Sequence, residues 1–313
     1  MIECNGIKTL DLSKNINLQR LALSECNGIK TLNLSKNIQL QRLGLEGIGI
    51  KTLDVSKNIN LQRLYLRGTG IRTLDVSENT NLQWLNLIEC FEIKTLDVSK
   101  NTNLQWLNLN GCFGIQMLNL SKNIQLRKLE MSDSRIKALD VSKNINLREL
   151  DLADTGIGIL DISKNVNLQR LYLSGTVIKT LDTSKNTNLQ ELYLINAKIE
   201  TLDVSHNKNL MKLNLWDSRE LTSLYMKNRV RKYFGFDRKY NYNFLGTNLN
   251  YICCDRDEID AVKGYIQGTV NAYNNTHEYS LLNPTVTSDC GIESEKEIPP
   301  QQSDRAAIYY QNP

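Results

Sequence analysis

Carboxylates, thiols and exposed aromatics are the side chains that could do chemistry in this chain, and each type comes as a file along the sequence. Asp54, Asp75, Asp97, Asp140, Asp161, Asp182 and Asp203 recur at one period. Carboxylates in a file suit calcium, but Lys57, Lys100, Lys143, Lys164 and Lys185 follow three residues later, and Lys51, Lys94, Lys137 and Lys179 stand three before. The favoured reading is a salt-laced outer face on which each Asp also accepts from turn N–H groups. His206 and His277 are the two histidines. No ligand pair has metal spacing, no Gly-rich phosphate loop follows a strand, and no Ser sits in a nucleophile elbow. The expectation is a protein without catalytic residues, metal or cofactor.

The thiols share one position. Cys4, Cys26, Cys90 and Cys112 stand where other copies of the period hold Ile48, Thr69, Ser134, Thr155, Thr176, Ala197 and Ser218. Small thiols and hydroxyls fill such a site as weak ladder members, so buried thiols are the default. Stacked Cys4–Cys26 and Cys90–Cys112 disulfides are disfavoured, because side chains in parallel register point alike.

These files are placed by a repeat. Asn15, Asn37, Asn58, Asn79, Asn101, Asn123, Asn144, Asn165, Asn186 and Asn207 lie 21 or 22 residues apart, and the pattern runs from about residue 7 to residue 226. A fixed short period means stacked coils with one continuous narrow core. Each copy has two extended halves, Leu-x-x-Leu-x-Leu and Ile-x-x-Leu-Asp-Val, and no room for a helix. The Asn at the bend is expected to be a structural ladder, its amide donors and acceptors satisfying backbone groups of its own coil and the next.

The outward positions of the first strand vary where the framework does not. They include Arg20, Ala22, Arg42, Gly44, Arg63, Tyr65, Arg67, Trp84, Trp106, Asn108, Glu130, Asp133, Glu149, Asp151, Asp154, Arg170, Tyr172, Glu191, Tyr193, Lys212 and Trp216. A basic stretch leads to two Trp, then to an acidic stretch, then to Tyr172, Tyr193 and Trp216. Trp84 and Trp106 occupy equivalent sites, so their rings are expected side by side about 5 Å apart. Aromatics beside charges are what recognition surfaces use. The candidate ligand-binding residues are Arg63, Tyr65, Arg67, Trp84, Trp106, Asn108, Glu130, Glu149, Asp151, Tyr172, Tyr193 and Trp216.

This pattern resembles the bacterial leucine-rich repeats, in particular the short nested class of Bacteroidetes surface and secreted proteins. The resemblance covers residues 7–226 and implies a curved parallel-sheet solenoid binding proteins or glycans on its first-strand face, outside the cell or at its surface. One departure is that Cys, Thr or Ser replaces the usual Asn after the first strand. The fold expected is a leucine-rich-repeat solenoid over residues 1–229, with short extended segments on its back face, essentially no repeat helices and a small mixed α/β C-terminal cap over residues 230–292. A polar, flexible tail over residues 293–313 follows.

Past Leu224 the repeat fades, and the basic aromatic run Lys227–Tyr240 reads as a last coil sealing the core rather than a nucleic-acid site. Ile259, Val262 and Ile266 then fall at helical spacing behind an acidic first turn. The stretch Asn248–Asp255 with this helix is similar to the unit closing many flavobacterial repeat proteins. Cys290 is expected to pair with Cys253 or Cys254.

The chain has 313 residues, 41% of them hydrophobic, and a net charge of +4, which argues neither for nucleic acid nor for an anionic membrane. Neither a run of 18 apolar residues nor a signal peptide is visible. Met1-Ile2-Glu3-Cys4 matches the middle of a coil, and an end without a polar cap exposes apolar cross-section. The expected function is recognition or adhesion through a protein or polysaccharide ligand. The alternative is a structural spacer or assembly subunit that self-associates through its uncapped N-terminal end.

Overall fold

The computed structural model describes residues 7–229, 232–234, 242–273 and 284–290. Cys4 and the start expected to lack a cap, the tail expected over residues 293–313 and most of the run Lys227–Tyr240 fall outside the described residues. The front of the solenoid is an 11-stranded, all-parallel sheet. Its first nine strands follow chain order: β1 (Arg20–Ser24), β2 (Arg42–Glu46), β3 (Arg63–Tyr65), β4 (Trp84–Asn86), β5 (Trp106–Asn108), β6 (Lys128–Glu130), β7 (Glu149–Asp151), β8 (Arg170–Tyr172) and β9 (Glu191–Tyr193). A back-face strand, β10 (Thr201–Asp203), then intervenes before β11 (Lys212–Asn214) rejoins the front. β12 (Ser223–Tyr225) lies on the back, β13 (Tyr242–Asn243) closes the front, and β14 (Tyr251–Cys253) and β15 (Thr285–Thr287) extend the back sheet, which runs β10-β12-β14-β15.

Period-2 alternation explains the front strands. In the coil around β3, Leu61, Leu64, Leu66, Ile71, Leu74 and Val76 all point inward and are buried, and the same six positions repeat along the stack as one core. Coils at the strand spacing of about 4.8 Å bury each other's apolar layer. The back segments form no hydrogen-bonded ladder before β10. A stack curved towards its front holds strand spacing on that face and spreads coils on the other.

The bend ahead of each front strand is held by the Asn ladder. Asn37 Nδ2 donates to Leu12 O at 3.1 Å and to Asn15 O at 2.9 Å in the preceding coil, and Asn58, Asn79, Asn101, Asn123, Asn144, Asn165, Asn186 and Asn207 repeat both bonds. Asn15, at the start of the stack, is exposed. The expected two-way amide is corrected: Nδ2 serves the coil before, whereas Oδ1 of Asn37 through Asn186 is buried without a hydrogen-bond partner. Asn207 differs, because Thr183 stands where other coils carry Val, Leu or Ile and its hydroxyl donates to Asn207 Oδ1 at 2.7 Å.

A second turn follows each front strand. One residue per coil there has a left-handed backbone: Glu25, Gly47, Gly68, Glu89, Gly111, Asp133, Asp154, Gly175, Asn196, Asp217 and Gly246, with φ between 51° and 73°. Gly, Asn and Asp tolerate this region best. Asp133 and Asp154 therefore belong to this turn and not to the outward face of the strand. Immediately after it, the thiol–hydroxyl file points inward. Cys90 Sγ donates to Leu66 O and Cys112 Sγ to Leu87 O, both at 3.0 Å, while the Thr155, Thr176 and Ser218 hydroxyls donate to neighbouring Leu carbonyls. Cys90 and Cys112 are thiols, and burial pushes the Cys112 thiol up to about 12.

The repeat also runs further than the sequence suggests. Asn228, 21 residues after Asn207, is buried and donates to Asn207 O at 3.3 Å. Tyr242 takes the inward Leu position opposite Leu213, and its hydroxyl donates to Leu210 O at 2.9 Å. The helix α1 (Ile259–Tyr273) buries Val262 and Ile266 against the last coils, as its spacing predicts. Lys232 is sealed beneath it, 2.6 Å from Glu258 and 3.3 Å from Asp255. Of the two pairings open from sequence, the disulfide joins Cys253 to Cys290, and Cys254 is a buried thiol.

Two stability predictions follow from the ladder. Asn144→Ala removes one of the two hydrogen bonds at each of two buried carbonyls, Leu120 O and Asn123 O, and should cost about 1–3 kcal/mol in urea unfolding, whereas Asn15→Ala should leave the midpoint unchanged. Val141→Thr places a hydroxyl against Asn165 Oδ1 as Thr183 does for Asn207. It should change stability by less than about 0.5 kcal/mol, where an unpaired buried hydroxyl costs roughly 1–3.

Candidate functional site

Register turns the outward residues of the front sheet into columns. The first column reads Arg20, Arg42, Arg63, Trp84, Trp106, Lys128, Glu149, Arg170, Glu191 and Lys212. The second reads Ala22, Gly44, Tyr65, Asn86, Asn108, Glu130, Asp151, Tyr172, Tyr193 and Asn214. Neighbours in a column lie one strand spacing apart, so charge and ring contacts between coils are decided here.

The expected acidic stretch is part of an ion chain. Lys128 Nζ lies 3.1 Å from Glu130 and 2.7 Å from Glu149. Arg170 sits 3.0 Å from Glu149 and 4.0 Å from Glu191, and Lys212 closes the run 3.2 Å from Glu191. Glu130, Glu149 and Glu191 are at most 18% exposed, so these pairs are shielded better than ordinary surface pairs. Burial alone would lower the Lys128 pKa, but its hydrogen bonds to Glu149 and Glu130 outweigh that and raise it. Lys128, Arg170, Glu191 and Lys212 were not among the sequence candidates. Their strict alternation of sign in one column was the signal that could have found them.

Glu130 gathers the middle of the face. Its Oε2 accepts from Trp106 Nε1 at 2.5 Å and from Asn108 Nδ2 at 2.8 Å. Asn108 is nearly buried, and its own Oδ1 accepts from Asn110 N. The predicted Trp84–Trp106 stack does not form. Arg63 lies over the Trp84 ring, 3.9 Å from its centroid, and the Glu130 hydrogen bond holds Trp106. A charged neighbour competes for each ring and wins, as cation–π contact and a charged acceptor are each worth more than an offset stack. Tyr172 and Tyr193 do stack, with centroids 5.1 Å apart.

Tyr65 lies beside Gly44 and Asn86 in register, Arg67 pairs with Glu89 at 3.3 Å on the turn side, and Trp216 stands apart, about half exposed, near the C-terminal end. Trp106, Asn108, Glu130, Glu149, Tyr172 and Tyr193 are thus brought together by the ion chain, and Arg63 with Trp84 forms a second group.

Asp151 is the uncompensated member. Burial, together with Glu130 and Glu149 nearby, raises its pKa, although Ala153 N donates to it at 3.0 Å. On the back, the Asp file does accept from turn N–H groups. Ser56 N donates to Asp54 and Ser77 N to Asp75, both at 2.9 Å, and these bonds hold the exposed carboxyls below the usual range. No group of three or more His, Cys, Asp or Glu that could hold a metal ion occurs among the described residues.

This geometry is that of a leucine-rich-repeat solenoid, and similar solved structures include bacterial ones. The functional domain of InlJ from Listeria monocytogenes, which includes a cysteine ladder, is 26% identical with a TM-score of 0.69 over 79% of this chain. The match spans 61% of that domain. A leucine-rich-repeat protein of Leptospira interrogans is 18% identical (TM-score 0.52; 85% of this chain, 93% of that one), and the Listeria internalin InlF is 17% identical (0.53; 81% and 80%). No protein-family model and no curated protein matches the sequence. The chain thus has the fold of a leucine-rich-repeat solenoid, and several of the structures it resembles are bacterial.

Asp151 provides a test of the ion chain. An acid whose folded pKa is raised weakens the fold while ionised, and the penalty disappears as pH falls through that pKa. Asn86, Asn108 and Asn214 accept the same i+2 backbone bond in their coils, so Asp151→Asn keeps it. The variant should melt higher at neutral pH, by roughly 0.5–1 kcal/mol of stability, and the gain should vanish in acid.

Proposed function

We propose that this protein is a non-enzymatic recognition module, working at the cell surface or outside the cell, that binds a protein or polysaccharide on its front sheet. One contrast carries the reading. Within a single rigid sheet the inward Leu is the same from coil to coil, while the outward neighbours one residue away differ at register-equivalent positions. Rings and charges held by neighbours on short strands lose little freedom on binding. The cysteine ladder named for InlJ has a counterpart in Cys90 and Cys112, which supports scaffold kinship rather than a shared ligand. The Cys253–Cys290 disulfide favours an oxidising compartment. Among the described residues no helix is long and apolar enough to cross a membrane.

The test uses a glycan array and pull-down of surface proteins with two variants. Trp84→Ala with Tyr193→Ala removes rings from both groups on the front. Ile59→Ala with Ile145→Ala removes exposed residues from the ladder turn. Binding should fall at least about tenfold with the first and stay unchanged with the second. The reverse result would overturn the front-face reading.

A further inference from the structure

The first column handles charge in two ways. From Lys128 to Lys212 every cation has a carboxylate on an adjacent coil. From Arg20 to Arg63 three guanidinium groups follow one another in register. Like charges directly opposite across a parallel pair are unfavourable. Arg63 is placed over Trp84, but Arg20 and Arg42 meet no carboxylate among the described residues. Of the acids on these coils, Glu25 leans over Gly47, where an added Cβ would fall 2.7 Å from its Oε1, and Glu46, the register partner of Ser24, is exposed at the opposite end of β2 from Arg42.

Beside the two arginines the surface drops. Ala22 and Gly44 are register partners in the second column, and the position a Cβ would take on Gly44 is 3.9 Å from the Ala22 Cβ. Tyr65, next in that column, walls one end. The result is a flat trough floored by backbone, lined along one side by Arg20 and Arg42.

We propose that this trough binds an anionic polysaccharide, one sugar ring lying on the Ala22–Gly44 floor against Tyr65 while its carboxylate or sulfate meets Arg20 and Arg42. The proposal deepens the front-face reading and rests on it. Guanidinium forks match carboxylate and sulfate oxygens in pairs. A protein partner fits less well, because the floor offers no apolar pocket for an anchoring side chain. β1 also has its inner edge already paired with β2, so an added peptide strand could not lie along the floor.

Calorimetry at about 0.15 M salt would compare a heparin-derived oligosaccharide, a polygalacturonate fragment, neutral dextran and poly-glutamate. The first two separate sulfate from carboxylate as the source of the charge. Arg20→Ser with Arg42→Ser should weaken binding of the preferred glycan at least about tenfold. Gly44→Tyr fills the trough without changing charge, at a site where a Cβ makes only ordinary contacts, and should weaken it as much. Lys51→Ser with Lys94→Ser removes two exposed charges away from the front strands and should have no effect. Equal weakening by the Lys pair, indifference to Gly44→Tyr, or tighter binding of poly-glutamate than of either glycan would overturn the proposal. If neither glycan binds while some other partner is lost with Trp84→Ala and Tyr193→Ala, the trough assignment falls and the front-face reading stands.

Discussion

Everything in this molecule depends on how a bent backbone disposes of its carbonyls. Each coil must turn into its front strand within a few residues, and the turn leaves two C=O groups facing the interior. One Asn per coil, reaching back from the next, donates to both. Since each amide serves the coil before it, no coil's bend is complete alone, and burial of the Leu and Ile layers is tied to the same neighbour. Stability is therefore a property of adjacent pairs, the expected behaviour of a one-dimensional stack.

The left-handed turn and the thiol–hydroxyl file answer the same problem at the other end of the strand. Gly, Asp, Asn or Glu takes the turn, and in the coils of Thr69, Cys90, Cys112, Thr155, Thr176 and Ser218 the next residue points a short donor at a carbonyl, whereas Ile48 and Ala197 fill the same site with apolar groups. A thiol, a threonine and a serine can share this job because the site asks only for a small group with one proton to give. These two fixed turns leave the residues between them free to differ without disturbing the coil. That is how a single scaffold carries an ion chain, a Tyr pair and an arginine trough on one sheet.

The inward pattern could be read from the chain because it is local: Leu64 and Leu66 alternate with Tyr65 whatever surrounds them. The bend Asn could be read because a polar residue kept in every coil has few uses in a core. The contacts of the outward face could not be read as simply. Equivalence of Trp84 and Trp106 predicted a stack, but ring placement is a competition among all neighbours, and Arg63 and Glu130 won it. Asn228 was legible by its interval and was hidden by the change of composition around it, while Tyr242 in a Leu position could be recognised only from the fold. The one-sidedness of the ladder depends on whether a hydroxyl happens to stand at the Thr183 position, which the repeat consensus conceals.

Alternation of sign from Lys128 to Lys212 also constrains how such a gene can grow or shrink. Solenoids change length by gaining or losing whole coils, an event the inward core would accept anywhere. Loss of the Arg170 coil alone would bring Glu149 beside Glu191, and loss of the Glu149 coil would bring Lys128 beside Arg170. Removal of two adjacent coils would preserve the sequence of signs. This stretch therefore carries a parity rule, under which unequal recombination is tolerated in steps of two coils and opposed in steps of one.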